Sequence, residues 1–230
     1  MTDPNLPETS AEAQSHPAPV FATKEGMWSR GSGDTSGYGG LTRELSMPGQ
    51  ATPPFDDDQA DSVYNRALEV LPGFGDFKVL YHNKELTVYV PREHLREVAR
   101  TFRDDPFLRF EVIMSISGVH YPHETGAELH SVYHLLSYTH NRRVRLEVTC
   151  PDDDPHIPSV VDTYPMADYD ERETWDMFGI IYDGHPALTR ILMPDDWHGH
   201  PQRKDYPLGG IDIEYKGAYV PAPDNRRDYS

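Results

Sequence analysis

Twelve histidines in 230 residues raise metal chemistry first. The densest group is His120-Tyr-Pro-His123 with His130 and His134. Imidazoles hold a divalent metal when three or four donors converge on it. His130 and His134 fall on a predicted strand, where a four-residue step keeps one face but separates them by ~13 Å. They cannot share an ion. His120 and His123 sit in a predicted loop and have no acidic or sulfur companion in sequence. His185, His198 and His200 stand in Gly, His and Pro contexts that suit turn hydrogen bonds or packing on a partner better than zinc. A histidine-based metal hydrolase is the rival reading, and it requires stoichiometric zinc or iron in the isolated chain.

Carboxylates are the second candidate. Glu171, Glu173 and Asp176 could do acid–base work, but three carboxylates on one predicted helix read better as a salt-bridge face. Arg172 and Asp176 are one turn apart and are expected to pair along it. No nucleophile has a base beside it. Cys150, the only cysteine, alternates with core residues at a strand end and reads as a buried structural thiol. It allows no internal disulfide, no iron–sulfur cluster and no cysteine zinc site. No Gly-x-Gly-x-x-Gly follows a strand, and the glycine-rich run from Gly26 to Gly40 lacks the Gly-Lys-Ser/Thr of a phosphate loop. The residues give no cofactor site, no metal site and no catalytic residue of this chain's own.

The elements that position these groups follow from periodicity. Ala60, Val63, Tyr64, Ala67, Val70 and Leu71 recur at helical spacing over 58–71, stopped by Pro72-Gly73. Strands over 77–81 and 85–90 flank a His82-Asn83-Lys84 turn. A second helix begins at Pro91, with Leu95, Val98, Ala99 and Phe102 as its buried stripe. Leu108, Phe110, Val112, Met114 and Ile116 alternate as the inward side of a strand, and 118–126 reads as a loop. Further strands cover 128–139 and run to Cys150 through Val144, Leu146 and Val148. Ser159 suits the cap of a short helix. The last helix is expected over 166–178, with Gly179 ending it. The fold class is α+β: a mixed, largely antiparallel sheet with helices packed on one face and long irregular terminal extensions.

Composition sets the domain limits. Hydrophobic content is 37%, with 21 prolines and 17 glycines, so much of the chain is irregular. Residues 1–57 read as an extended N-terminal segment that cannot bury enough apolar surface alone; Trp28 and Tyr38 are its candidate anchors on a partner. Residues 58–180 read as the core domain, and 181–230 as an irregular segment. Ile211, Ile213, Tyr215, Tyr219 and Val220 are scattered anchors near its end. The net charge of −17 repels nucleic acid and anionic lipid. No apolar run approaches the ~20 residues that span a bilayer, and the start lacks a secretory signal.

The stretch from Tyr169 to Leu208 has too many prolines and glycines to be regular and too many large apolar groups to be disordered. It must lie across its own domain or across a partner. Glu171 to Ile180, Gly184-His185-Pro186, Arg190-Ile191-Leu192, Pro194-Asp195-Asp196-Trp197, Gly199-His200-Pro201 and Arg203-Lys204-Asp205-Tyr206-Pro207-Leu208 carry a family resemblance. Together they resemble the C subunit of the bacterial proton-pumping NADH-quinone oxidoreductase, respiratory complex I. The resemblance is strongest over 158–208 and extends back to about 58. Tyr169 departs from it, standing where the family leads one to expect Trp.

The resemblance implies a cofactor-free member of the hydrophilic arm. It would be part of an enzyme of the translocase class that passes electrons from NADH through FMN and iron–sulfur clusters to quinone and pumps protons. FMN, the clusters and quinone would be bound by other subunits. The implied partners, on which residues 181–230 would pack, are the quinone-site D subunit and the iron–sulfur B and I subunits. The implied place is the cytoplasmic side of the cell membrane, as a peripheral protein. Glu171, Glu173 and Gly179 would belong to the interface and fold motif, with His185, Pro186, Asp195, Gly199, His200 and Pro207. Arg172, Asp176, Arg190, Arg203, Lys204 and Asp205 would supply its polar contacts, and Trp175, Phe178, Trp197 and Tyr206 its apolar anchors. The same motif fits a homologous scaffold of a membrane-bound hydrogenase-type complex.

Overall fold

The computed structural model describes residues 20–25, 40–46, 53–55, 57–82 and 84–206. Trp28, Tyr38, Pro207 and the five anchors from Ile211 to Val220 lie outside the described residues. Within the N-terminal segment, expected to be irregular, strand β1 (Val20–Glu25) pairs antiparallel with β2 (Thr42–Ser46).

Helix α1 spans Asp58–Val70, capped by Asp57, whose carboxylate accepts the Gln59 N–H at 2.8 Å. Strands β3 (Val79–His82) and β4 (Glu85–Tyr89) form the expected hairpin, with Lys84 at φ 63° in its turn. A 3₁₀ turn over Arg92–His94 leads into α2 (Leu95–Asp104), whose Leu95, Val98, Ala99 and Phe102 are all buried. Strands β5 (Val112–His120), β6 (Leu129–Ser137) and β7 (Arg142–Cys150) follow as an antiparallel run. The five-stranded order is β3-β4-β7-β6-β5, and β4 pairs with β7 in parallel, so the two antiparallel groups join through one parallel seam.

Register divides the sheet into two faces. Val88, Leu146, Tyr133 and Ile116 align across four strands on the core face, under the helices. The next row, Thr87, Arg145, His134 and Ser115, lies on the opposite face. Arg145 donates to Thr87 at 2.9 Å, and Ser115 and His134 lie 3.2 Å apart.

Three expectations fail here for identifiable reasons. The β5 register shifts between Ile113 and Ser115, a bulge that moves the frame by one residue. Ile113 and Ile116 are therefore buried while Met114 is 45% exposed, against the alternation predicted from Leu108. Gly118, Val119 and His120 belong to β5 rather than to a loop. The expected Ser159 helix is only a turn, preceded by strand β8 (His156–Pro158), which pairs in parallel with β9 (Ile181–Asp183). Three-residue strands bounded by proline or aspartate leave no periodic trace in sequence.

Helix α3 (Ala167–Phe178) lies on the core face against β5. Asp170 accepts the Ile116 N–H at 3.0 Å, at the strand just past its bulge. At the helix end, the Phe178 ring packs on Gly118, where an added Cβ would collide with its Cδ2, Cε2 and Cγ.

Candidate functional site

The motif residues gather around the C-terminal half of α3. Gly179 ends the helix at φ 83°, and its N–H reaches the Trp175 carbonyl at 2.8 Å. From β9 the chain turns back and runs along α3 as a strap over residues 184–206, so the described part of this segment lies across its own domain.

Asp176 fixes the strap. It is fully buried, and its Oδ2 accepts the backbone N–H groups of Ile191 (3.1 Å), Leu192 (2.9 Å) and Met193 (2.9 Å). Its Oδ1 takes the Arg190 guanidinium at 2.5 Å. Burial acts to raise the pKa of this carboxyl, but the Met193 N–H, Arg190 and the other strap amides outweigh it and hold it below its ordinary 3.8. Arg190 then reaches the carbonyls of Trp197 (2.7 Å) and Gly199 (3.1 Å) and lies 5.5 Å above the Trp175 ring.

The expected Arg172–Asp176 pair is absent. Arg172 donates to the carbonyls of Thr189 and Arg190 and lies over the Tyr169 ring, adding a second tie from helix to strap. The three acids do not share one salt-bridge face: Asp176 pairs with Arg190, Glu171 is buried without an ion pair among the described residues, and only Glu173 is exposed. Glu171 is fully buried, accepting the Ser159 hydroxyl at 2.6 Å and the Val160 N–H at 2.8 Å. Burial pushes its carboxyl up to about 7, with those two bonds opposing.

Further ties continue along the strap. His185 Nδ1 accepts the Ala187 N–H at 3.1 Å, while Nε2 reaches the Asp168 carbonyl at 3.1 Å, the turn role expected of it. Pro186 and Asp195 are exposed. His200 donates from Nδ1 to the Asp176 carbonyl at 3.0 Å, and Gln202 N–H reaches the Met177 carbonyl at 3.0 Å. Arg203 bridges Asp205 at 3.1 Å, Asp152 at 2.9 Å and the Phe178 carbonyl at 3.4 Å. The Tyr206 ring packs beside Gly199.

The fold also gives His120 the acidic neighbours that the sequence did not. His120 is buried, and its donor atoms lie within 4.8 Å of those of Asp152 and Asp205. One imidazole and two carboxylates are a possible divalent set, but two contacts oppose it. The Lys204 N–H donates to Nδ1 at 3.0 Å, so the neutral ring carries its proton on Nε2, the nitrogen 3.4 Å from Asp152. Arg203 already supplies the cation between the two carboxylates. Through Lys204 and Arg203 the trio is tied to the end of the strap, while His120 Nε2 is buried with no hydrogen-bond partner among the described residues. Nothing in local spacing signals this, because His120 and Lys204 meet across 84 positions.

A profile described as respiratory-chain NADH dehydrogenase, 30 kDa subunit, matches residues 88–212. The chain belongs to this family. It is 55% identical over 236 residues to the NADH-quinone oxidoreductase C subunit of a Nocardioides species, covering 99% of this chain and 94% of the relative. It is 60% identical over 203 residues to the C subunit of Streptomyces coelicolor, covering 86% and 81%. Among solved structures, a chain of an archaeal membrane-bound sulfane sulfur reductase superposes with TM-score 0.56 at 24% identity, covering 71% of this chain and 100% of that one, a likeness of fold. The family makes this protein a component of NADH-quinone oxidoreductase, complex I. Among the described residues, no helix is long and apolar enough to cross a membrane.

Proposed function

We propose that this chain is a cofactor-free scaffold of the hydrophilic arm of complex I, with no catalytic residue of its own. It would dock on the quinone-site D subunit beside the iron–sulfur B and I subunits, on the cytoplasmic side of the membrane. FMN, iron–sulfur clusters and quinone would be held by those and other subunits, which carry the electrons from NADH to quinone.

The observation that carries this reading is the strap. A buried carboxylate and a guanidinium hydrogen-bond its backbone, while Leu192 is 59% and Trp197 39% exposed on it. Beside it, Met166 at the start of α3 is 61% and Tyr169 on the helix 62% exposed. Large apolar groups presented from a fixed backbone are what an assembly surface requires, because little conformational freedom is lost on docking.

The test is purification of the complex carrying Leu192→Asp with Trp197→Asp. The variant chain is expected to fold and to fall out of the arm, with loss of NADH:quinone activity. Normal stoichiometry and activity would overturn the assignment. The neighbours that co-purify with the unaltered chain separate the family's two settings: a flavin-containing NADH-binding partner supports this one, and a nickel protein supports the hydrogenase-type complex.

A further inference from the structure

The sheet face opposite the helices carries a cavity of about 380 Å³. Leu80, Val119 and Val132 give it an apolar lining, and Tyr121 and Glu124 contribute from the loop between β5 and β6. That loop is fastened to the sheet by His130. The imidazole Nδ1 lies 2.5 Å from Glu147 Oε1, while Nε2 lies 2.9 Å from the Ala127 carbonyl oxygen and 3.3 Å from Glu124 Oε2. Carbonyls and carboxylates only accept hydrogen bonds. Both ring nitrogens are satisfied together only when both carry hydrogen, and at 3% exposure water cannot substitute.

We propose that His130 is a proton-operated clamp: as the imidazolium it holds the 121–128 loop against the open sheet face, and on losing its proton it frees the loop and opens the cavity. The groups facing it come from several elements. Glu147 on β7 also faces Tyr89 on β4 and acts to raise its phenol, and the Lys78 ammonium lies 4.4 Å over the Tyr89 ring. Tyr121 meets the imidazole edge-on at 4.9 Å, while Arg145 on β7 and His134 on β6 line the same cavity. Burial opposes the charge on His130, but Glu147 and Glu124 outweigh it and raise the imidazole above its ordinary 6.5. A raised value means that the clamp stabilises the closed loop fully below pH 6.5 and is lost as pH rises through the raised value. The neutral ring keeps one N–H, so one nitrogen then presents a lone pair to an acceptor. Deprotonation frees the loop from the sheet face without unfolding its turn, because Glu128 accepts the Gly126 N–H at 2.9 Å and the Asp152 N–H at 3.2 Å independently of His130.

The experiment is hydrogen–deuterium exchange of the full chain in its purified complex from pH 6 to 9, corrected for intrinsic rates and read over 121–129. Protection should fall about tenfold or more as pH rises. His130→Gln, which is neutral throughout, should show low protection with no step, and His134→Gln should keep the step. A flat wild-type profile, a step surviving in His130→Gln, or a step lost in His134→Gln would each overturn the clamp.

Discussion

Asp176 and Arg190 meet at 2.5 Å, fourteen positions apart, with the carboxylate wholly buried and the guanidinium nearly so. One helix side chain thereby fixes a strap that has no secondary structure of its own. Removing one partner of a buried ion pair strands the other, at a cost of about 3–5 kcal/mol. Asp176→Ala is therefore expected to lower the unfolding free energy by that order in denaturant titration. Arg190→Lys should keep the charge but lose most of the forked contacts. The sign of the pH effect follows from the lowered carboxyl: its contribution is complete above pH 3.8 and disappears as pH falls through the depressed value.

Glu171 behaves in the opposite sense. Its carboxyl is raised from 4.5 to about 7, so its neutral form stabilises the fold below pH 4.5 and that stabilisation is lost as pH rises through 7. Wild-type stability should fall by about 3 kcal/mol across this window from this group. Glu171→Gln should remove that slope while its amide oxygen keeps acceptance from the Val160 N–H and its NH2 donates to the Ser159 hydroxyl oxygen. Unfolding free energy measured at several pH values checks both statements.

Gly118 and Phe178 set the distance between β5 and α3. Gly118→Ala would drive a methyl into the Phe178 ring and should destabilise the chain by about 1–3 kcal/mol. Phe178→Leu in the same chain should relieve part of the strain, and a double-mutant cycle reads the coupling. Additive effects would mean that the contact does not set the spacing.

Regular elements are legible in the residue order where side chains report a period. The α2 stripe and the alternation of β7 appear directly, and the helix stop at Gly179 needs only its backbone freedom. The β5 frame is hidden because the bulge at Met114 breaks the period at one residue. Helix spacing suggests an Arg172–Asp176 pair because it describes only neighbours on one surface. Asp176 instead turns inward, to amides that are in place only once the strap has folded back. His120 lacks acidic company in sequence, and the fold brings it Asp152 and Asp205. Motif residues are thus recognisable as a group, while their pairings depend on tertiary return of the chain.

Photo-crosslinking from position 192 in the purified complex reads out whether the strap is an assembly surface, since Leu192 sits exposed on it. Crosslinks from this position are expected to reach another component of the arm, identified by mass spectrometry, with the quinone-site partner foremost. Crosslinks confined to this chain, in a complex that is fully assembled and active, would contradict the assembly role of the strap.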